Sequence, residues 1–148
     1  MVVSNGYLGN DLTSKVAPHG VADMAKTILV VDDNAYIRHA LCDLFKREAD
    51  FEICGEAENG KEAIAKAREL HPDLIVLDLS MPVMNGLDAA RELKRLMPTV
   101  PLLMYSAFGD RLVEQQARLV GISELVSKSQ PAAILVSKAR SLVHRTAA

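Results

Sequence analysis

Short runs of Val, Ile and Leu alternate with stretches whose apolar residues recur at helical spacing, and the alternation starts at Lys26. The runs Thr27 to Val31, Phe51 to Ala57, Leu74 to Leu77, Pro101 to Tyr105 and Ile122 to Ser127 read as strands. An amphipathic stretch follows each, which is the sequence form of repeated βα units and a parallel sheet. In the first helix Ile37, Ala40, Leu41, Leu44 and Phe45 share a face, with Asp33 or Asn34 as N-cap. The second opens at Asn59-Gly60 and carries Ala63, Ile64, Ala67 and Leu70. It stops at His71-Pro72, because proline disfavours helical backbone in the residue before it. Leu87, Ala90, Leu93 and Met97 mark a third helix, ended by Pro98. A fourth, over Asp110 to Val120, has a thin apolar stripe that predicts loose docking, with Gly121 suited to its C-cap. Pro131 suits the first turn of a fifth helix whose inner face is Ile134, Leu135, Leu142 and Val143.

Residues 1–25 break the pattern. Gly6, Gly9, Gly20, Pro18, Asn5 and Asn10 leave no sustained period, and a flexible leader is expected there. The whole chain of 148 residues is about one domain, and 49% hydrophobic with 24% charged residues is ordinary globular composition. A net charge of -2 argues against whole-molecule attraction to nucleic acid or anionic lipid. No local basic patch or basic helix-turn-helix pattern supplies a substitute. No apolar run approaches the roughly 20 residues that cross a bilayer, and the amino terminus lacks a basic segment leading into an apolar one. The expectation is a cytoplasmic protein with no direct nucleic-acid or membrane partner. Cys42 and Cys54 lack metal-ligand spacing, and Cys42 lies on the apolar face of the first helix, as a reduced core thiol would.

Chemistry concentrates where strands end: Asp32-Asp33 after the first, Asp78 after the third, Ser106 after the fourth and Lys128 after the fifth. Parallel strands present their carboxyl ends at one edge, where open α/β sheets bind ligands. Taken alone, Asp32-Asp33 is a helix cap beside a solvated acid. Asp78 at the end of another strand changes that, because carboxylates about 4 Å apart repel by ~4 kcal/mol at an effective dielectric near 20. A small hard dication would offset the repulsion, since Mg²⁺ takes oxygen ligands and commonly bridges carboxylates to phosphate oxygen. A carboxylate can also attack phosphorus to give an aspartyl-phosphate, a transfer that needs alignment and charge neutralisation more than covalent help. Lys128 can pair with Asp78 before transfer and with a phosphoryl oxygen afterwards, and the Ser106 hydroxyl can donate to another phosphoryl oxygen.

Asp32-Asp33 after ILVV, the segment DLSMPVMNG from Asp78 to Gly86, Ser106-Ala107 after LLMY, and Lys128 together resemble the receiver domain of bacterial two-component response regulators. The resemblance covers roughly Lys26 to Val143. It implies a flavodoxin-like (βα)5 sandwich over 26–146, with a five-stranded parallel sheet of order 2-1-3-4-5 and helices on both faces. It further implies Asp78 as phosphoacceptor, Lys128 and Ser106 as its helpers, and Mg²⁺ or Mn²⁺ held by Asp33, Asp78 and the backbone carbonyl of Ser80, with Asp32 acting through water. The implied function is a phosphorylation-dependent switch that loads and unloads itself, rather than an enzyme with a diffusible substrate. Its partners would be a sensor histidine kinase or histidine phosphotransfer protein and a downstream target protein.

Some positions depart from the family pattern. Ser129 follows Lys128 where the family usually has proline, which predicts a trans peptide and a differently shaped loop, a non-proline cis bond costing about 2.5 to 4 kcal/mol. Leu125 stands where many relatives carry a Tyr or Phe that swings inward, and Tyr105 should point away from Ser106 by strand alternation. Phe108, two residues beyond Ser106, is a candidate shield of an aspartyl-phosphate against water. Competing functions are weaker. A Mg²⁺-dependent phosphatase of the haloacid-dehalogenase type needs a second Asp two residues after its nucleophile, where this chain has Ser80. A flavin or nucleotide carrier needs a Gly- or Ser/Thr-rich loop, where this chain has Asp32-Asp33-Asn34-Ala35. A phosphorylation-independent docking receiver is the remaining alternative.

Overall fold

A computed structural model describes residues 24–81, 83–107 and 111–147, the side chains of 145–147 excepted. The expected leader lies almost entirely outside the described residues, as does Phe108. The element order is β1 (Lys26–Val31), α1 (Ala35–Lys46), β2 (Phe51–Ala57), α2 (Gly60–Leu70), β3 (Leu74–Asp78), α3 (Gly86–Leu96), β4 (Leu102–Ser106), α4 (Arg111–Leu119), β5 (Glu124–Ser127) and α5 (Ala132–Ala147). All strand pairs are parallel, and the sheet runs β2-β1-β3-β4-β5, the expected order. Pro131 precedes α5 and its carbonyl accepts from the Ile134 N–H, so it primes the first turn rather than entering it.

Alternation along the strands divides the core between two faces. Ile28, Val30, Leu74, Val76, Leu103 and Val126 pack with Leu41, Phe45, Leu135 and Leu142 of α1 and α5. Leu29, Val31, Ile75, Leu77, Leu102 and Met104 face α2, α3 and α4, meeting Ala63, Ala67, Ala89, Ala90 and Leu93. All of β3 is buried, so the chain can end that strand on a carboxylate only where the sheet edge opens. On the α2 to α4 side the helices meet the sheet largely through alanines. Only Ala117 of α4 is buried, while Leu112 and Leu119 stay exposed, as the thin stripe predicts.

The turns that launch α1, α2 and α3 share one device. Asn34, Asn59 and Asn85 each accept, through the side-chain oxygen, the N–H three residues onward, at 3.0, 2.8 and 2.9 Å. These caps satisfy orphan helix donors and fix where each helix leaves its strand. Gly86, first in α3, is required by close approach: a Cβ there would stand 2.3 Å from the Asp78 carbonyl oxygen. Its N–H donates to the Leu79 carbonyl at 2.7 Å, folding the loop after β3 back over the strand end. At the other end of the sheet, Arg140 of α5 binds Asp50 and Glu48 and lies 5.5 Å from the Phe51 ring centroid, tying α5 to the start of β2.

Truncation of Leu103, fully buried in β4, removes contacts on the α1 and α5 side. Leu103→Ala is expected to cost about 2 to 5 kcal/mol in urea unfolding, and a loss below 1 kcal/mol would contradict the packing described. The Cys42 thiol is pushed up to about 11, chiefly by burial. Above its ordinary value of 9.0 the unfolded chain releases this proton while the folded chain keeps it, so the thiol's contribution to stability is present below pH 9 and declines toward about pH 11. Urea midpoints of wild type and Cys42→Ala measured at pH 8 and pH 10 should therefore converge at the higher pH, and parallel curves would refute it.

Candidate functional site

Parallel strands bring the end of β1 beside the end of β3, and β4 beside that. The expected cluster forms there: carboxylate oxygens of Asp32, Asp33 and Asp78 all lie within 4.8 Å of one another. Asp32 and Asp78 are buried, at 1% and 4% exposure, while Asp33 faces solvent. Asp32 Oδ1 accepts the Asn34 N–H at 2.9 Å, coupling the acid to the α1 cap. Its other oxygen, Oδ2, is buried without a hydrogen-bond partner among the described residues.

Lys128, carried past the end of β5, reaches across to both buried acids. Its Nζ lies 3.3 Å from Asp78 Oδ1 and 3.6 Å from Asp32 Oδ2. The described residues contain no cis peptide, so the Lys128–Ser129 bond is trans as expected, and the lysine still arrives at the acids. Its loop is held without proline. The Lys128 N–H donates to the Ser106 carbonyl at 2.6 Å, Ser127 and Ser129 join hydroxyls at 2.8 Å, and the Gln130 side chain accepts the Ser127 N–H.

Burial pushes the Asp78 carboxyl above the usual carboxylate range and the Asp32 charge adds to this, while Lys128 and a backbone hydrogen bond from Ser80 oppose it. Burial also works against the Lys128 ammonium, but the charges of Asp78 and Asp32 outweigh it and hold the group above the ordinary lysine value. Ser106 is buried at the end of β4, one position beyond the residue paired with Asp78. Ser80 lies exposed in the loop just past Asp78. A crowded, partly desolvated set of hard oxygens with one orphaned carboxylate atom is what a small dication stabilises. The donor set therefore fits Mg²⁺ or Mn²⁺.

One residue, Arg38, and one contact, between Tyr105 and Lys128, escaped the sequence reading. Arg38, on α1, donates from Nη1 to the Asp32 carbonyl at 2.9 Å and from Nε to Glu56 of β2 at 2.8 Å. It braces the backbone that carries Asp32 and Asp33. The sequence signal was a cation one turn past the cap, too common to single out. Tyr105 does point away from Ser106, toward the α1 and α5 side, and there its ring centroid lies 5.4 Å from Lys128 Nζ.

The response regulator receiver domain model matches residues 28–140, which take in most of β1, all of β2 to β5 and the site. The chain belongs to the response regulator receiver domain family. Chemotaxis protein CheY of Thermotoga maritima is 37% identical over 113 residues, covering 76% of this chain and 93% of that protein. A protein-glutamate methylesterase/protein-glutamine glutaminase of Methanosarcina acetivorans is 45% identical over 78 residues, 53% of this chain, but this chain spans only 22% of its length. Among solved structures, the response regulator domain of Thermotoga maritima CheB superposes with a TM-score of 0.77 at 29% identity, covering 81% of this receiver and 97% of that one.

Replacing one of two buried acids relieves their mutual repulsion when no cation is present. Asp32→Asn is expected to raise unfolding stability by about 1 to 2 kcal/mol in chelator and to weaken Mg²⁺ binding at least tenfold, read by titration calorimetry. Unchanged Mg²⁺ affinity would remove Asp32 from the cation site.

Proposed function

We propose that this receiver is a phosphorylation-dependent switch in two-component signalling, with Asp78 as the acceptor. The observation that carries the reading is the convergence on Asp78 of two neighbouring carboxylates and the Lys128 ammonium. In the reaction an Asp78 carboxylate oxygen attacks phosphorus, a P–O bond forms, and the P–N bond to the donor histidine breaks. The bonding pair leaves on the imidazole nitrogen. An acyl phosphate would serve in the same way, its carboxylate leaving.

Asp33, Asp78 and the Ser80 carbonyl would hold Mg²⁺ or Mn²⁺, with Asp32 bound through water. The ion supplies charge neutralisation for the incoming phosphoryl oxygens. Lys128 pairs with Asp78 in the unmodified state and turns to a phosphoryl oxygen once the acceptor is esterified, while Ser106 hydrogen-bonds another. A phosphoryl group adds roughly -1.5 to -2 charge, and charge-assisted hydrogen bonds to it are among the strong ones. Ser106 ends β4 and Lys128 follows β5, the two strands that α4 connects, and of α4 only Ala117 is buried. Displacing so lightly buried a helix costs little, which suits it to report the change.

The donor in this reading is a sensor histidine kinase or histidine phosphotransfer protein, and the reader is a downstream target protein. No helix among the described residues is long and apolar enough to cross a membrane, and we place the switch in the cytoplasm with its kinase. The chain acts on itself in this reading and turns over no diffusible substrate.

Intact-mass spectrometry after incubation with acetyl phosphate and Mg²⁺ tests the acceptor. A single phosphoryl adduct is expected in wild type and absent in Asp78→Asn. An adduct that survives the substitution rejects Asp78, and none in wild type with acetyl phosphate or a phosphohistidine donor rejects the switch.

A further inference from the structure

We propose that Tyr105 is a positioning residue for Lys128, its ring face keeping the ammonium beside Asp78 while a divalent cation occupies the acidic cluster. The inference rests on the switch reading above and deepens it. Strand register brings the two residues together: Tyr105 pairs with Val126 and Ser106 with Ser127, so Lys128, one position further, returns to the Tyr105 side of the sheet. Its Nζ then sits 5.4 Å from the ring centroid, inside the roughly 6 Å range over which an aromatic face attracts a cation.

Lys128 has Asp78 Oδ1, Asp32 Oδ2 and the Tyr105 ring as partners. Both carboxylates belong to the cluster that fits a dication. With an ion bound there, the negative charge available to the ammonium falls and a second positive charge repels it. Only the ring, among these partners, is not contested. The need for such a hold is acute because the stem of Lys128 is a flexible four-carbon chain, and the hydrogen bonds of its loop among Ser127, Ser129 and Gln130 restrain backbone and neighbours, not the ammonium.

The ring packs against the core on one side. Tyr105 packs half-buried against the α1 and α5 side of the core and lines a groove of about 260 Å³, mostly apolar through Ile37, Leu41, Leu44 and Leu135 but with Arg47 also at its wall. An apolar surround of this kind strengthens a cation–ring contact relative to open water. A ring gives no directional hydrogen bond, so it holds the ammonium near Asp78 without dictating which oxygen it faces. That latitude suits a lysine that must leave a carboxylate oxygen and meet a phosphoryl oxygen.

Beryllofluoride affinity at saturating Mg²⁺ tests this in wild type, Tyr105→Leu and Tyr105→Phe, each also combined with Lys128→Ala. With Lys128 present, Tyr105→Leu should weaken binding about fivefold, close to 1 kcal/mol, and Tyr105→Phe should recover it to within about twofold. In the Lys128→Ala background Tyr105→Leu should change nothing further. An equal loss in both backgrounds overturns the proposal, since the ring would then act through packing alone. A second measurement needs no phosphoryl mimic: in Mg²⁺-loaded wild type the Lys128 Hε resonances should be shifted upfield by the ring and return in Tyr105→Leu. Absence of that shift in wild type overturns the proposal too. Wild type that ignores beryllofluoride would instead sink the switch reading, and the resonance shift would then decide the role of Tyr105 by itself.

Discussion

Two buried carboxylates face one ammonium at the carboxyl edge of the sheet, and the remaining architecture follows from keeping that imbalance in place. At an effective dielectric near 20, charges about 4 Å apart interact by ~4 kcal/mol, comparable to the whole stability of a small domain, which is about 5 to 15 kcal/mol. Asp32 and Asp78 cannot both remain buried and charged unless compensation is built in. It comes from Lys128 Nζ, from the Asn34 N–H on Asp32 and from the Ser80 backbone on Asp78. The compensation is incomplete, because Asp32 Oδ2 has no hydrogen bond among the described residues. The unmet negative charge that makes the pocket costly to fold is what a bound cation would offset.

Anchorage is distributed unevenly around that pocket. Arg38 clamps the Asp32 carbonyl to Glu56, Lys66 holds the Glu56 carbonyl at 2.6 Å, and Gly86 lets α3 close directly over Asp78. These contacts hold the acids on a rigid base. On the opposite side, β5 is a short edge strand and α4 buries a single alanine. A chemical event at Asp78 therefore meets firm support beneath it and weak restraint toward β5 and α4. Mechanical asymmetry of this kind turns a local charge change into a displacement of particular elements rather than a diffuse loosening.

Much of this was legible in the sequence because strand burial and strand ending are both local signals. Continuous apolar runs fixed the strands, and the polar residues that close them named Asp32, Asp33, Asp78, Ser106 and Lys128, all of which the structure brings to one edge. Asn34 and Asn59 were readable as caps, whereas Asn85 was hidden inside a motif read for its chemistry. The orientation of Tyr105 was legible, but the brace by Arg38 and the contact of Tyr105 with Lys128 were not, since they depend on which strand lies beside which and in what register. Arg38 needs Glu56 on β2, and Tyr105 needs Lys128 to come back across β5. Serine after the lysine predicted a trans bond but not whether the ammonium would reach Asp78. The polar turn through Ser127, Ser129 and Gln130 supplies the answer.

The position of the aromatic ring determines which side of the sheet senses the lysine. Leu125 packs toward the α2 to α4 face, on the same side as Met104. The ring in contact with Lys128 is instead on β4 and faces α1 and α5, where it lines a groove with Ile37, Leu41 and Leu135. In the proposed switch the ring keeps the ammonium on that face as it turns to a phosphoryl oxygen, while Ser106 would gain a contact on the other. In that reading a modified acid would engage both faces of the sheet at once, through a lysine and a serine that adjacent strands direct to opposite sides.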